Sequence, residues 1–451
     1  MFKSLDLSPS EFTVKLKYLE AAYDDFTWLT SATVKTAPIP YNENLKLKIS
    51  SEFNSLIGLG CVQRFELGKE DEVRSFFDQI EIQKDYLLGY LSYELKNKFE
   101  FITSSNLDRM NMGLAVFVKP EVVIKITNEI VTYQAENKES ESRFLAILDS
   151  IHTIDEINSS SLTESKNIVI PSVNLTEKEY IEKVNQIKSH IYRGDIYEIN
   201  FCIEFFIENY TAKIFDLFLD LMNLSPNPFS GFIKTKGSCA ANYILCASPE
   251  RFLKKTDRKL IAQPIKGTAA RSIEVKADEI LKQELIGNPK EVSENVMIVD
   301  LVRNDLSRVA QKGSVKVEEL LGLYSFPQVH QMISTISCEI KENISLFEIL
   351  KANFPMGSMT GAPKIKAMEL IDEFETFNRG VFSGSIGYFA PNGDFDFNVI
   401  IRSILYNSEI KRLSFPVGSA ITKNAEPAKE YEECKLKVKA ILTVLNNKYK
   451  S

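Results

Sequence analysis

Thr176-Glu177-Lys178-Glu179-Tyr180-Ile181 runs through Val184, Ile187 and Ile191 to Gly194, and then into Tyr197-Glu198-Ile199-Asn200-Phe201-Cys202-Ile203-Glu204-Phe205. The two halves of this stretch carry different periods. Thr176 and Glu179 form a capping box, the apolar residues that follow recur at helical spacing, and Gly194 is a stop signal, so the first half is a helix. In the second half Tyr197, Ile199, Phe201, Ile203 and Phe205 alternate with Glu198, Asn200, Cys202 and Glu204. That is a two-faced strand whose polar side is expected to line a cavity. A hairpin is marked by Pro391-Asn392-Gly393-Asp394 between Phe382–Phe389 and the run Phe395, Phe397, Val399, Ile401. Its other face is expected to carry Asp396, Asn398 and Arg402. Helices mixed with antiparallel hairpins, with no regular βαβ rhythm, predict the α+β class.

The chain has 451 residues, 44% hydrophobic and 25% charged, which is enough for a large buried core. Its formal net charge of -7, with no Lys/Arg block, gives no footprint for nucleic acid and no polybasic face for a membrane. The six cysteines, at 61, 202, 239, 246, 338 and 434, form no C-x-x-C pair and read as reduced thiols. The opening Met1-Phe2-Lys3-Ser4-Leu5-Asp6 leads into no apolar leader core, so a cytoplasmic location is expected. Composition turns polar over 136–169, with Glu136-Asn137-Lys138-Glu139-Ser140-Glu141-Ser142 and Ser159-Ser160-Ser161, and this segment is expected to link residues 1–135 to a motif-dense 170–445. Within it Phe144–Leu148 is a candidate short helix.

Lys266 stands in Gln263-Pro264-Ile265-Lys266-Gly267-Thr268, between a residue that stiffens the backbone and one that lets it turn sharply. An amine attacks carbon only as the free base. A nucleophilic role therefore predicts a partly desolvated pocket that lowers the pKa of Lys266. Two acidic stripes stand apart: Glu291 and Glu294, and Glu430, Glu433 and Lys437, each at helical spacing. Brought together, four such carboxylates suit Mg2+, which takes a few carboxylates and completes its shell with water and substrate oxygens. Arg402 is a fork for a substrate carboxylate. Phe354–Lys364, rich in glycine and hydroxyls, exposes backbone amides to an anion ahead of a helix, without the Gly-Lys-Ser/Thr of a Walker loop.

Together these segments resemble the chorismate-utilising enzymes, and within them the aminodeoxychorismate synthase component I (para-aminobenzoate synthase component I) branch, related to anthranilate synthase component I. The resemblance is carried over residues 170–445 by Ser248-Pro249-Glu250-Arg251-Phe252, Pro264–Thr268, Asp300-Leu301-Val302-Arg303-Asn304-Asp305-Leu306, Phe354–Lys364, Ser383-Gly384-Ser385-Ile386-Gly387-Tyr388 and Glu430-Tyr431-Glu432-Glu433. The first segment matches mainly at Gly89-Tyr90-Leu91-Ser92-Tyr93-Glu94. The resemblance implies two stacked, mostly antiparallel sheets flanked by helices, with residues 1–135 completing the sandwich. It implies that chorismate binds through Mg2+, which Glu294 and Glu433 hold while Glu291 and Glu430 support it through water. Arg402 and the amides near Gly418 and Ser419 would take the pyruvyl carboxylate, and Thr268, Thr360 and Lys437 would belong to the substrate pocket.

The branch turns on two positions. Anthranilate synthases carry alanine where this chain has Lys266, and relatives that add water at C2 carry a lysine base where it has Glu198. The implied chemistry is attack of Lys266 on C2, departure of the C4 hydroxyl with a proton from Glu250, then attack of ammonia at C4. Gln331 replaces the family's active-site histidine, with His330 one position earlier; Phe382 replaces a tyrosine of the anthranilate branch, and Ala420 a glycine of the carboxylate turn. The alternatives are anthranilate synthase component I and a non-catalytic homologue that binds chorismate. No His-x-Glu pair follows His152, His190 or His330, and Gly60-Cys61-Val62-Gln63 lacks a glycine after its cysteine. Ammonia is therefore expected from a separate glutamine amidotransferase subunit, in a heterodimer.

Overall fold

The computed structural model describes residues 1–31, 54–100, 102–127, 130–151, 170–237, 241–326 and 329–447. Thr176 caps the Glu177–Arg193 helix in a complete capping box with Glu179, and Gly194 ends it at φ 84°. Isoleucines of that helix and of the Glu198–Ile207 strand pack in one cluster. The strand's polar side is buried as well: Cys202 joins a second cluster, and Glu204 pairs with Arg412 at 3.0 Å. The strand therefore lies inside the molecule with both faces covered, which alternation alone does not reveal.

The architecture is α+β. One sheet of twelve strands runs Lys3–Leu5, Val131–Ala135, Val122–Ile126, Ser55–Leu59, Phe26–Thr30, Phe229–Lys236, Ala241–Ser248, Ser403–Asn407, Arg412–Thr422, Glu198–Ile207 and Gly361–Ala362, with Ser172–Val173 attached beside Glu198–Ile207. A second, of ten, runs Ile265–Ala270, Val329–Glu339, Lys259–Gln263, Arg251–Thr256, Phe395–Asn398, Ser385–Phe389, Leu87–Leu91, Ala115–Lys119 and Gln63–Leu67, with Lys316–Ser325 attached beside Val329–Glu339. Every pairing among the described residues is antiparallel. One core packs helices on the first sheet, through Tyr180, Phe201, Phe218 and Val438. The other draws from both sheets, joining Cys202, Ile233 and Ile244 to Leu253, Leu260 and Phe397.

Strands from residues 1–135 hydrogen-bond into both sheets, Phe26–Thr30 beside Phe229–Lys236 and Leu87–Leu91 beside Ser385–Phe389. In the polar 136–169 segment Lys138–Ile151 is a helix that buries Phe144, Leu148 and Ile151. Its remainder, with Ser159–Ser161 and His152, lies outside the described residues, as does Cys239. The other five cysteines are free thiols.

The chain passes between the sheets at two places that matter. It leaves the first sheet after Ser248 and joins the second at Arg251, so Pro249 and Glu250 make one crossing. It leaves the second sheet after Asn398 and rejoins the first at Ser403, so Val399–Arg402 make the other. The hairpin expectation is corrected here. Its strand stops at Asn398, and Arg402 lies beyond it at φ 52°, not on a shared face with Asp396, which pairs with Arg251 at 2.9 Å.

Candidate active site

Each crossing carries one charged side chain, Glu250 in the first and Arg402 in the second. Val399 N donates to Glu250 O at 3.0 Å, which ties the crossings to each other. Glu250 is buried; its carboxylate accepts from Ser358 Oγ at 2.7 Å. Burial pushes its carboxyl up to about 7, against the opposing pull of the Ser358 hydrogen bond and the charge of Lys266. A cavity of about 20 Å³ lies against Glu250, Phe252, Gly357 and Ser358, room for about one water. Arg402 is partly buried, its guanidinium making no hydrogen bond or ion pair with any described residue. Burial draws it below the usual guanidinium range and the Glu250 carboxylate opposes that. A cation so placed, with its fork unused, is ready for an anionic ligand.

Lys266 occupies a β-bulge. Ile265 faces Ile333 and Thr268 faces Gln331, so Lys266 and Gly267 together oppose Met332. Gly267 has φ 98°, and a Cβ there would meet Met332 at 3.0 Å, which explains the glycine. Asn295 Nδ2 donates to Lys266 O at 3.0 Å and to Met332 O at 3.2 Å, clamping the bulge to the Pro289–Val309 helix. The lysine side chain reaches back between the sheets, where Nζ donates to Glu198 Oε1 at 2.6 Å. This corrects the expected charge state. Burial lowers the lysine pKa, but Glu198, then Glu294 and Glu250, outweigh it and hold the ammonium above its ordinary range. The resting residue is a charged, paired lysine.

The two acidic stripes converge. Lys290 lies 3.2 Å from Glu430 and 3.9 Å from Glu294, bridging the Pro289–Val309 and Pro427–Asn447 helices. Lys437 lies 2.7 Å from Glu433. Glu294 Oε1 and Glu430 Oε2 are buried with no hydrogen-bond partner. Burial pushes Glu294 up to about 7, with Lys266 opposing, and also raises Glu291 and Glu430. At Glu433 burial raises the carboxyl, but Lys437 overrides it and the net shift is downward. Among the described residues no three His, Cys, Asp or Glu side chains form a ready-made ion nest. Unsatisfied oxygens and raised carboxyls nonetheless mark a local deficit of positive charge, which fits an oxygen-liganded divalent cation.

The predicted carboxylate turn is resolved by hydrogen-bond direction. Asn200 N donates to Thr360 O and Cys202 N to Glu375, so both amides point away from the neighbouring Arg412–Thr422 strand. Gly418 and Ala420 oppose these residues, and Gly418 O accepts from Lys437 Nζ at 2.8 Å. The amides of Gly418 and Ala420 therefore face outward, and that of Ser419 faces Phe201. Of the predicted pair only Gly418 offers its amide; the Ser419 hydroxyl is bonded to Tyr180 at 2.8 Å. A Cβ on Gly418 would lie 2.5 Å from Cys202 Sγ and 2.9 Å from Asn200 Oδ1. If the Gly418 amide takes the carboxylate that the resemblance implies, Gly418→Ala is expected to raise the substrate KM about tenfold, because the turn must shift to relieve that overlap. Steady-state titration with chorismate checks this, and an unchanged KM would remove the turn from the binding site.

Thr268 is exposed where pairing resumes after the bulge. Thr360 is fully buried, its hydroxyl donating to Met356 O at 3.1 Å, so it serves the turn. His330 is tied to Asp278 at 2.9 Å and Ser325 at 2.8 Å, whereas Gln331 Oε1 is buried without a partner. Glu198 as the partner of Lys266, Ser358, Lys290 and Asn200 were not assigned from sequence. Alternation had placed Glu198 and Asn200 on a cavity-facing side, which was the available signal. Among the described residues Asn200 Nδ2 has only sulfur acceptors, Cys202 at 3.4 Å and Met359 at 4.0 Å, so its amide is open to a better partner.

The sequence matches the family of chorismate binding enzymes over residues 41–443. The chain belongs to that family. This chorismate-binding enzyme is 32% identical over 363 residues to aminodeoxychorismate synthase component 1 of Klebsiella aerogenes, covering 80% of the chain and 77% of that protein. It is 41% identical over 291 residues to the chloroplastic aminodeoxychorismate synthase of Arabidopsis thaliana, covering 64% of the chain and 30% of that protein. Its fold is shared with anthranilate synthase component I of Streptococcus pneumoniae, at TM-score 0.73 and 21% identity, over 91% of the chain and 95% of that structure. No helix among the described residues is long and apolar enough to cross a membrane.

Proposed function

We propose that this enzyme aminates chorismate at C4, forming 4-amino-4-deoxychorismate for para-aminobenzoate and folate synthesis, through a transient bond between Lys266 and C2 of the ring. The observation that carries this reading is a largely buried lysine 2.6 Å from Glu198, with a protonatable Glu250 that feels the charges of both Lys266 and Arg402, whose fork is unused. Lys266 supplies the nitrogen that attacks C2, Glu250 the proton that leaves with the C4 oxygen, and Arg402 with the Gly418 amide the grip on the pyruvyl carboxylate. Lys437 supports that turn through Gly418 O. Ammonia then attacks C4 and the lysine departs. It would come from a separate glutamine amidotransferase subunit, in the cytoplasm, where free thiols stay reduced.

Mg2+ would be held by Glu294 and Glu433, with Glu291 and Glu430 behind them, and when bound it supplies a positive charge that anchors a substrate carboxylate. The buried oxygens of Glu294 and Glu430 that accept no hydrogen bond support that donor set. Glu294→Gln is expected to weaken Mg2+ binding at least tenfold in calorimetric titration of the metal alone. Affinity equal to the parent enzyme would rule Glu294 out as a ligand.

The function is tested by supplying chorismate and ammonium and separating the products. A coupled lyase that releases para-aminobenzoate reports C4 amination, and anthranilate fluorescence reports C2 amination. Anthranilate as the main product would overturn the reading.

A further inference from the structure

The ion pair raises a chemical problem, since the nitrogen proposed to attack carbon carries a proton and no lone pair at rest. Among the described residues Nζ hydrogen-bonds to Glu198 alone, and Glu198 is the one carboxylate within ion-pairing distance. The Lys266 side chain is 11% exposed and that of Glu198 3%. Glu198 Oε2 is buried and accepts from no donor, so among the described residues Lys266 is the one side chain that donates to this carboxylate. Glu250 is already bonded to Ser358 and is needed as an acid.

We propose that Glu198 is the proton acceptor that turns Lys266 into a free amine once chorismate fills the cleft. The inference rests on the covalent reading above. As substrate displaces water, a buried ammonium and carboxylate become costlier than the neutral amine and acid, and the proton has only a hydrogen-bond length to travel. Lys266 Nζ–H breaks, an O–H forms on Glu198, and the amine's electron pair bonds to C2. The ring double bonds move, the C4–O bond breaks, and water departs with the Glu250 proton. Ammonia's electron pair then bonds to C4, the C2–N bond breaks, and Lys266 leaves as an amine. Glu250 regains its proton from the new C4 ammonium and Glu198 returns its own to Lys266. The sum is chorismate plus ammonia giving aminodeoxychorismate plus water.

Glu198 acts through Lys266, so activity alone cannot establish the role. Glu198→Gln keeps size and hydrogen bonding but takes no proton; Glu198→Asp keeps a carboxylate on a shorter arm. With chorismate and ammonium, kcat of Glu198→Gln is expected to fall on the order of 100-fold with KM within threefold, and Glu198→Asp to recover part of the loss. Lys266, freed of its anion, should be acetylated faster by acetic anhydride in Glu198→Gln than in the parent enzyme, as read by peptide mass. A kcat within threefold of the parent overturns the proposal, and so does an unchanged acetylation rate. Lys266→Ala run alongside separates the failures: if it still aminates chorismate, the covalent reading falls and Glu198 with it. If it is inactive while Glu198→Gln forms the acid-quenched lysine adduct as fast as the parent, only the Glu198 role is lost.

Discussion

Lys266→Ala is expected to lower the amination rate on the order of 1,000-fold while chorismate still binds, because the nitrogen proposed to attack the ring is gone. The same substitution should destabilise the fold. It leaves Glu198 buried without its cation, and breaking a buried ion pair from one side costs about 3 to 5 kcal/mol. The lysine's pKa is raised in the folded state, so its contribution is complete below the ordinary lysine value and disappears only as pH rises through the folded value. Thermal melts at pH 7 therefore report the full loss. Adding Glu198→Ala should return much of the stability and none of the activity. A Lys266→Ala enzyme within tenfold of the parent rate would end the covalent proposal.

Glu250→Gln is expected to gain stability and lose catalysis. Glutamine can still accept from Ser358 but has no proton to give the leaving oxygen, so kcat should fall about 100- to 10,000-fold. In the parent enzyme the folded carboxyl titrates at about 7 against an ordinary 4.5. The folded state binds this proton more tightly than the unfolded chain. Its stabilising effect is complete below pH 4.5 and is lost as pH rises through 7, and glutamine avoids that loss. The variant should therefore match the parent at pH 4.5 and exceed it by roughly 3 kcal/mol above pH 7. Denaturant titrations at the two pH values check the crossover. Equal stability at both would mean that Glu250 is not buried as a neutral acid. The parent rate should fall as pH rises through about 7, and that alkaline limb should be absent from the residual rate of Glu250→Gln.

Much of the local structure was legible from neighbours in sequence. The Thr176 and Glu179 box, the isoleucine spacing and Gly194 specify a helix within one element, as Asn392-Gly393 specifies a hairpin. Lys266 was legible as a candidate because Pro264 and Gly267 bracket it, and Gly267 does take the backbone that glycine permits. Arg402 was misplaced on the hairpin face because alternation continues in the sequence past the point where the chain leaves the sheet. Ser419 was named with Gly418 because strand residues look alike until a partner decides which amides are used.

Caps, periods and turn residues act over a few positions, so the elements, the α+β class and the chemical cast of lysine, glutamates and arginine are legible along the chain. Folding is what brings Glu198, 68 positions from Lys266, against it as the partner of an ammonium, and what stands Lys290 between two acidic helices. Charge state depends on desolvation and on Coulomb partners a few ångströms away, and both are set by packing distant segments together.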